Sequence, residues 1–151
     1  MTVSVELETR IVRPIADVFD AIVDVGRYPD WLIASGIVRV ERSDPGPLAA
    51  GSRLRIAQTV AGRSTVLDGR VTVLVPGAAF GIRGKDKDGV TVEIDAVLAP
   101  DELSTRLRWS VRIGLPLRYR MFESMVTPQA RRAAALDLEA LKRRLESGAG
   151  H

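Results

Sequence analysis

The sequence predicts an α+β fold in which a curved antiparallel sheet of about seven strands wraps around a long C-terminal helix. Three observations carry that reading. Apolar and polar residues alternate with period two in the first eleven residues and again through most of 53–113, as expected of strands buried on one face. An amphipathic run, Ile15 to Val25, interrupts the alternation early. From about Leu117 to Glu146 there is neither a glycine nor a strand pattern, so the chain ends in helix.

Taken in order, Val3, Val5, Leu7, Thr9 and Ile11 alternate with Ser4, Glu6, Glu8 and Arg10, giving a half-buried first strand. Pro14 suits the first helical position, where its missing N–H costs nothing. Ile15, Val18, Phe19 and Ile22 then fall on one helical face, with Asp17, Asp20 and Asp24 on the other. A second short helix ends in Tyr28-Pro29-Asp30-Trp31. A strand near Ile37–Glu41 leads into Ser43-Asp44-Pro45-Gly46-Pro47, a loop that proline and glycine keep out of a sheet.

Leu54, Ile56 and Val60 mark the third strand, Ala61-Gly62-Arg63 a hairpin turn, and Leu67, Val71, Val73 and Val75 the fourth strand, which Pro76-Gly77 ends. Phe80 and Ile82 alternate up to Lys85-Asp86-Lys87-Asp88-Gly89, whose charges and glycine suit a hairpin tip. Its likeness to a calcium loop is superficial, because the further ligands and closing Glu are missing. Val90, Val92, Ile94, Ala96 and Leu98 share one face of the next strand. After a turn at Ala99–Glu102, Leu103, Thr105, Leu107, Trp109, Val111 and Ile113 point inward and Arg106, Arg108 and Arg112 outward.

Gly114-Leu115-Pro116 breaks the sheet. Pro128 is expected to kink the final helix or split it at Thr127. Ala134, Leu138, Leu141 and Leu145 form its apolar stripe, and Arg131, Arg132, Lys142, Arg143 and Arg144 its solvated surface. One domain over 1–146 and a flexible tail over 147–151 are expected.

Composition narrows the chemistry. The chain has 151 residues, enough for one domain with a sizeable core. With no Cys, disulfides, thiolate catalysis and sulfur-ligated metals are excluded together; the single His is the last residue, His151, so a His base or His-ligated zinc is not expected. No metal, cofactor or catalytic residue is assigned. Twenty-two basic residues stand against 19 acidic ones, a net charge of +3, and the outward arginines lack interleaved aromatics, so no nucleic-acid partner is expected. Glu6 and Glu8 are instead placed opposite Arg106 and Arg108 as cross-strand pairs. No apolar run of roughly 18 residues and no signal-peptide pattern is found, which reads as a cytoplasmic protein without membrane insertion.

The pattern resembles the START-like (SRPBCC) superfamily, its polyketide cyclase/dehydrase and lipid-transport group in particular. The resemblance rests on Val12-Arg13-Pro14-Ile15-Ala16-Asp17-Val18-Phe19, Tyr28-Pro29-Asp30-Trp31, Gly51-Ser52-Arg53, Pro76-Gly77, Thr105-Arg106-Leu107-Arg108-Trp109 and the Leu138–Leu145 stripe, in that order along the chain. It implies the helix-grip fold, with a cavity for a hydrophobic ligand between sheet and last helix. The concave face then offers aliphatic side chains, Val73 among them, together with Gln58, Phe80, Ile94, Trp109 and Val111, none of them titratable. Trp31 is placed at the cavity mouth, and Tyr119, Phe122, Glu123 and Met125 where the last helix begins.

Those ten residues are the candidate ligand contacts, with core packing the competing reading for Trp31 and Trp109. The expected function is noncovalent binding of a lipid, quinone-like or polyketide-like molecule in an apolar cavity. The alternatives are a polyketide cyclase or dehydratase using Tyr119, Glu123 or Arg118, and a protein-interaction module docking through the last helix and Leu48-Ala49-Ala50. Whether the chain is an enzyme is left open, leaning to no.

Overall fold

The period-two segments become β1 (Thr2–Ile11), β2 (Ile37–Arg42), β3 (Arg53–Val60), β4 (Arg63–Val75), β5 (Ala79–Lys85), β6 (Thr91–Asp101) and β7 (Ser104–Gly114) in a computed structural model that describes residues 2–148. They form a single antiparallel sheet in the order β1-β7-β6-β5-β4-β3-β2. Strands β2 to β7 are a meander, and β1 closes onto β7 in unbroken register from Thr2↔Gly114 to Ile11↔Thr105. The chain crosses between the two sheet edges through α1 (Ile15–Val23) and a 3-10 helix over Val25–Asp30. Pro14 is the N-cap of α1 rather than its first residue, and its carbonyl accepts from the Asp17 and Val18 amides at 3.0 and 3.3 Å.

The β3–β4 turn shows how locally the hairpins are encoded. Ala61 and Gly62 both take positive φ, 53° and 78°, the twist-matched two-residue turn that a glycine makes accessible. At the β5–β6 tip, Asp86 Oδ1 accepts the amides of Asp88 and Val90 at 2.9 and 3.0 Å, so this aspartate is a turn-builder.

Two expectations about the concave face are corrected. A bulge lies between Val71 and Val73 in β4, where Val71 faces Ile82 but Val73 faces Gly81. The extra residue reverses the alternation. Val73 and Val75 therefore point outward, and Leu74 packs against the core instead. Leu103 sits in the β6–β7 turn beside Glu102, whose φ is 58°, and is exposed rather than inward.

The last helix, α2 (Glu123–Glu146), is preceded by a 3-10 turn over Leu117–Phe122. It is not split at Thr127. Pro128 lies in its second turn, where it withholds an amide from one carbonyl only, and the change of helix type falls at Phe122–Glu123. The expected stripe of Ala134, Leu138, Leu141 and Leu145 is buried. The C-terminal end of α2 is fastened to the β1–α1 corner: Glu146 Oε2 accepts the Val12 amide at 2.8 Å, and Arg13 Nη1 donates to the Leu145 carbonyl at 2.7 Å. Ser147 and Gly148 return their amides to the Arg143 and Leu145 carbonyls and cap the helix. The remaining expected tail, 149–151 with His151, lies outside the described residues.

Candidate functional site

The two halves of α2 meet the sheet differently, and that difference creates the site. Leu138, Leu141 and Leu145 fill the end of the sheet occupied by Leu54, Leu107, Leu98 and Ala96. Toward the N-terminal half, α2 presents small side chains, Ala130 and Ala133, with Val126 and Gln129. What remains between this half and the sheet is a cavity of about 190 Å³.

Its floor comes from the other end of the strands: Ile56, Gln58 and Val60 of β3, Ile82 and Gly84 of β5, Val92 and Ile94 of β6, and Trp109, Val111 and Ile113 of β7. Leu67 of β4 with Leu32, Ala34, Ser35 and Ile37 complete the wall. Among the described residues no Asp, Glu, Lys, Arg, His or Tyr lines it, and its polar side chains are Ser35, Gln58, Gln129 and the Trp109 indole.

Four of the candidate residues, Gln58, Ile94, Trp109 and Val111, stand in this wall. Trp31 stands behind it. It is 2% exposed and meets Trp109 edge-on, with ring centroids 5.5 Å apart, while Tyr28 meets Trp31 from the other side at 5.4 Å. Tyr28 donates its hydroxyl to the Ile22 carbonyl at 2.5 Å, and burial, with Asp24 adding to it, raises its pKa. This aromatic row buttresses Trp109 against the cavity.

Phe80 is buried in the filled half, opposite Leu74 near the β4–β5 turn and away from the wall. Tyr119, Phe122, Glu123 and Met125 are not in the wall either. Phe122 and Met125 are 46% and 66% exposed. Tyr119 lies beneath the Arg118 guanidinium, 4.9 Å from its ring centroid, and a hydrogen bond from Arg118 lowers the phenol's pKa. The 3-10 segment that precedes α2 buries no residue, and of the first helical turn it is Val126 that lines the cavity.

Ser35, Gln129 and Asp137 escape a reading of the strands alone. Asp137 is 1% exposed on α2; its carboxylate accepts the Ala34 amide at 2.8 Å, the Ser35 amide at 3.1 Å and the Ser35 hydroxyl at 2.5 Å. Burial raises its pKa, against the opposing effect of those hydrogen bonds. The available signal was its spacing, three after Ala134 and four before Leu141, which sets a carboxylate on the apolar stripe. Asp137 thus ties the loop bearing Ala34 and Ser35 to the helix above the cavity.

On the convex face the arginines are matched by carboxylates. Arg106 meets Glu8 at 3.1 Å and Arg108 meets Glu6 at 3.5 Å, on the diagonal because the register sets Glu8 against Arg108. Arg112 and Arg83 share Glu93 at 2.7 and 3.6 Å. Among the described residues no group of three or more Asp, Glu, His or Cys is placed to hold a metal ion, and no helix is long and apolar enough to cross a membrane.

The model of one protein family, described as polyketide cyclase / dehydrase and lipid transport, matches residues 2–146. No curated protein matches the sequence. Among solved structures, an aromatase/cyclase (Zhui) from a Streptomyces species superposes with a TM-score of 0.77 at 18% identity, covering 100% of both chains. A protein from Thermus thermophilus gives 0.77 at 16% identity, covering 96% of this chain and 98% of that one. Ara h 8.0201 gives 0.59 at 14% identity, with 93% and 99% covered. At these identities the likeness is one of fold, and it confirms the helix-grip architecture.

Proposed function

The chain belongs to the polyketide cyclase/dehydrase and lipid transport family, and from that premise we propose that it binds a small, uncharged hydrophobic molecule in the cavity beneath α2. The observation that carries this reading is the wall itself: aliphatic and indole surface with a few polar groups and, among the described residues, no ionisable side chain. An apolar cavity of about 150 Å³ admits benzene, so 190 Å³ suits a compact ring system unless α2 moves outward.

Acid–base chemistry needs a titratable group within hydrogen-bond reach of the reacting atoms. Tyr119, Glu123 and Arg118 stand outside the wall. The cyclase alternative is therefore left with substrate folding alone, since proximity by itself accelerates ring closure. The interaction-module alternative docks through the last helix and Leu48-Ala49-Ala50, and of that loop Leu48 packs against the core rather than presenting itself to a partner.

The protein's two tryptophans make the test direct. Trp31→Phe leaves Trp109 as the sole donor for energy transfer to the uncharged probe N-phenyl-1-naphthylamine. Saturable transfer at one site, abolished by Ala130→Phe in a folded variant, is the expected result. Transfer that does not saturate, or that survives Ala130→Phe, overturns the proposal.

A further inference from the structure

One amide in the wall is both fixed in orientation and left with an unused carbonyl acceptor. Asp137 pins the Ser35 backbone and hydroxyl, and the Ser35 carbonyl then accepts from Gln58 Nε2 at 2.9 Å. A carbonyl only accepts, so reversing the Gln58 amide would set two oxygens against each other. Oε1 is thereby turned away from Ser35. It accepts from no group among the described residues, and it is not sealed from accessible space.

The other polar wall residues differ. Gln129 is exposed and no hydrogen bond among the described residues fixes its amide. The Trp109 indole only donates, and the Ser35 hydroxyl, whose proton goes to Asp137, keeps only the weaker acceptor of a hydroxyl oxygen. Gln58 is the inward-facing neighbour of Val60, which lines the cavity yet is 42% exposed, so Gln58 lies near the mouth where a ligand's polar end meets the protein last. Among the described residues no cation lines the cavity, so a carboxylate there would be desolvated without a counter-charge.

Resting on the binding reading above, we propose that Gln58 Oε1 is the specificity contact, accepting the hydroxyl proton of an uncharged ring-bearing alcohol or phenol, with Asp137 as the positioning residue acting through Ser35. The ligand class is then narrower than hydrophobic: one hydrogen-bond donor at the mouth, apolar surface within, and no ionised group. A ligand lacking the donor loses one neutral hydrogen bond, about a fivefold difference in affinity.

The test compares 2-naphthol with 2-methylnaphthalene, which replaces hydroxyl by methyl on the same ring system, and with 2-naphthoate, each by displacement of N-phenyl-1-naphthylamine. The wild type is expected to prefer 2-naphthol over 2-methylnaphthalene about fivefold and to reject 2-naphthoate. Gln58→Leu should bind the two neutral probes within about twofold of each other. Asp137→Asn should lose preference while keeping its affinity for 2-methylnaphthalene, a split that a general loss of stability does not produce.

Equal binding of the two neutral probes by the wild type overturns the role of Gln58 and leaves the apolar-cavity reading standing. Binding of neither overturns both. Undiminished preference in Asp137→Asn overturns the positioning role, and tight binding of 2-naphthoate overturns the uncharged class.

Discussion

Ala133→Leu asks whether the space beneath α2 is truly empty. Ala133 lines the cavity on the turn of α2 just before the buried stripe begins. Leucine adds three carbons, and at ~0.8 kcal/mol per buried methylene their complete burial is worth about 2.4 kcal/mol. Ala133 is half-buried, so about half of that is recovered, and the small helix-propensity difference between Ala and Leu subtracts a few tenths. The net expectation is a stabilisation of about 1 kcal/mol.

If the space were already occupied by side chains, the same substitution would overpack the interface and destabilise by about 1–3 kcal/mol. The two cases differ in sign. In urea unfolding, with a slope of about 2 kcal/mol/M, stabilisation appears as a midpoint raised by roughly 0.5 M at unchanged slope. A lowered midpoint would refute the cavity and, with it, the argument for binding.

Asp137→Ala removes three hydrogen bonds and strands two amides, so a loss of about 2–4 kcal/mol is expected in the same assay. Because burial raises the Asp137 pKa in the folded state, the folded protein binds the proton more tightly than the unfolded chain. Its stability relative to Asp137→Asn should be greatest below the unfolded carboxyl range, near pH 3.9, and fall as pH rises through the folded value; a difference that grows with pH contradicts this. Tyr119→Phe and Glu123→Gln should leave N-phenyl-1-naphthylamine affinity within about twofold, less than one hydrogen bond is worth, and a tenfold loss in either would return that residue to the site. Gly36 holds φ at 77°, and a Cβ there would collide with the Thr59 carbonyl oxygen, so Gly36→Ala should lower stability by about 2 kcal/mol or more, read as a reduced melting temperature. Arg106→Ala should cost at most about 0.5 kcal/mol in urea unfolding, because its partners Glu8 and Asp101 are solvent-screened.

Most of the fold was legible because its signals are local. The alternation in β1 and β7, the Ala61-Gly62 turn and the Leu138–Leu145 stripe each specify conformation within a few residues. The errors arose where a single residue changes phase or a terminus shifts. The bulge between Val71 and Val73 leaves no mark in an all-β-branched stretch, so Val73 was placed inward and Leu74 was not. Leu103 reads as strand by alternation, but lies in the turn that Glu102 makes with positive φ.

The candidate site was legible on the strands and much less so on α2. Gln58, Ile94, Trp109 and Val111 follow from period-two alternation and stand in the wall. Phe80 obeys the same alternation, but the filled and empty ends of the sheet are decided by which α2 side chains lie above them, a long-range fact. Trp31 shows the same limit, since its aromatic contact with Trp109 joins segments nearly eighty residues apart. The apolar cluster from Tyr119 to Met125 suggested a cavity wall; the 3-10 segment before α2 instead leaves Phe122 and Met125 in solvent. Small residues, Ala130 and Ala133, mark the cavity on the helix.

The most direct test of the central claim is where a bound ligand lies. With methyl-labelled protein and saturating 2-naphthol, intermolecular nuclear Overhauser effects should appear to the methyls of Ile56, Ile94 and Val111, which face the cavity. They should be absent from Val38 and Val66 on the outer groove between β2 and β4. Contacts confined to Val38 and Val66, or to the exposed Met121 and Met125, would place the ligand on the surface and contradict the account.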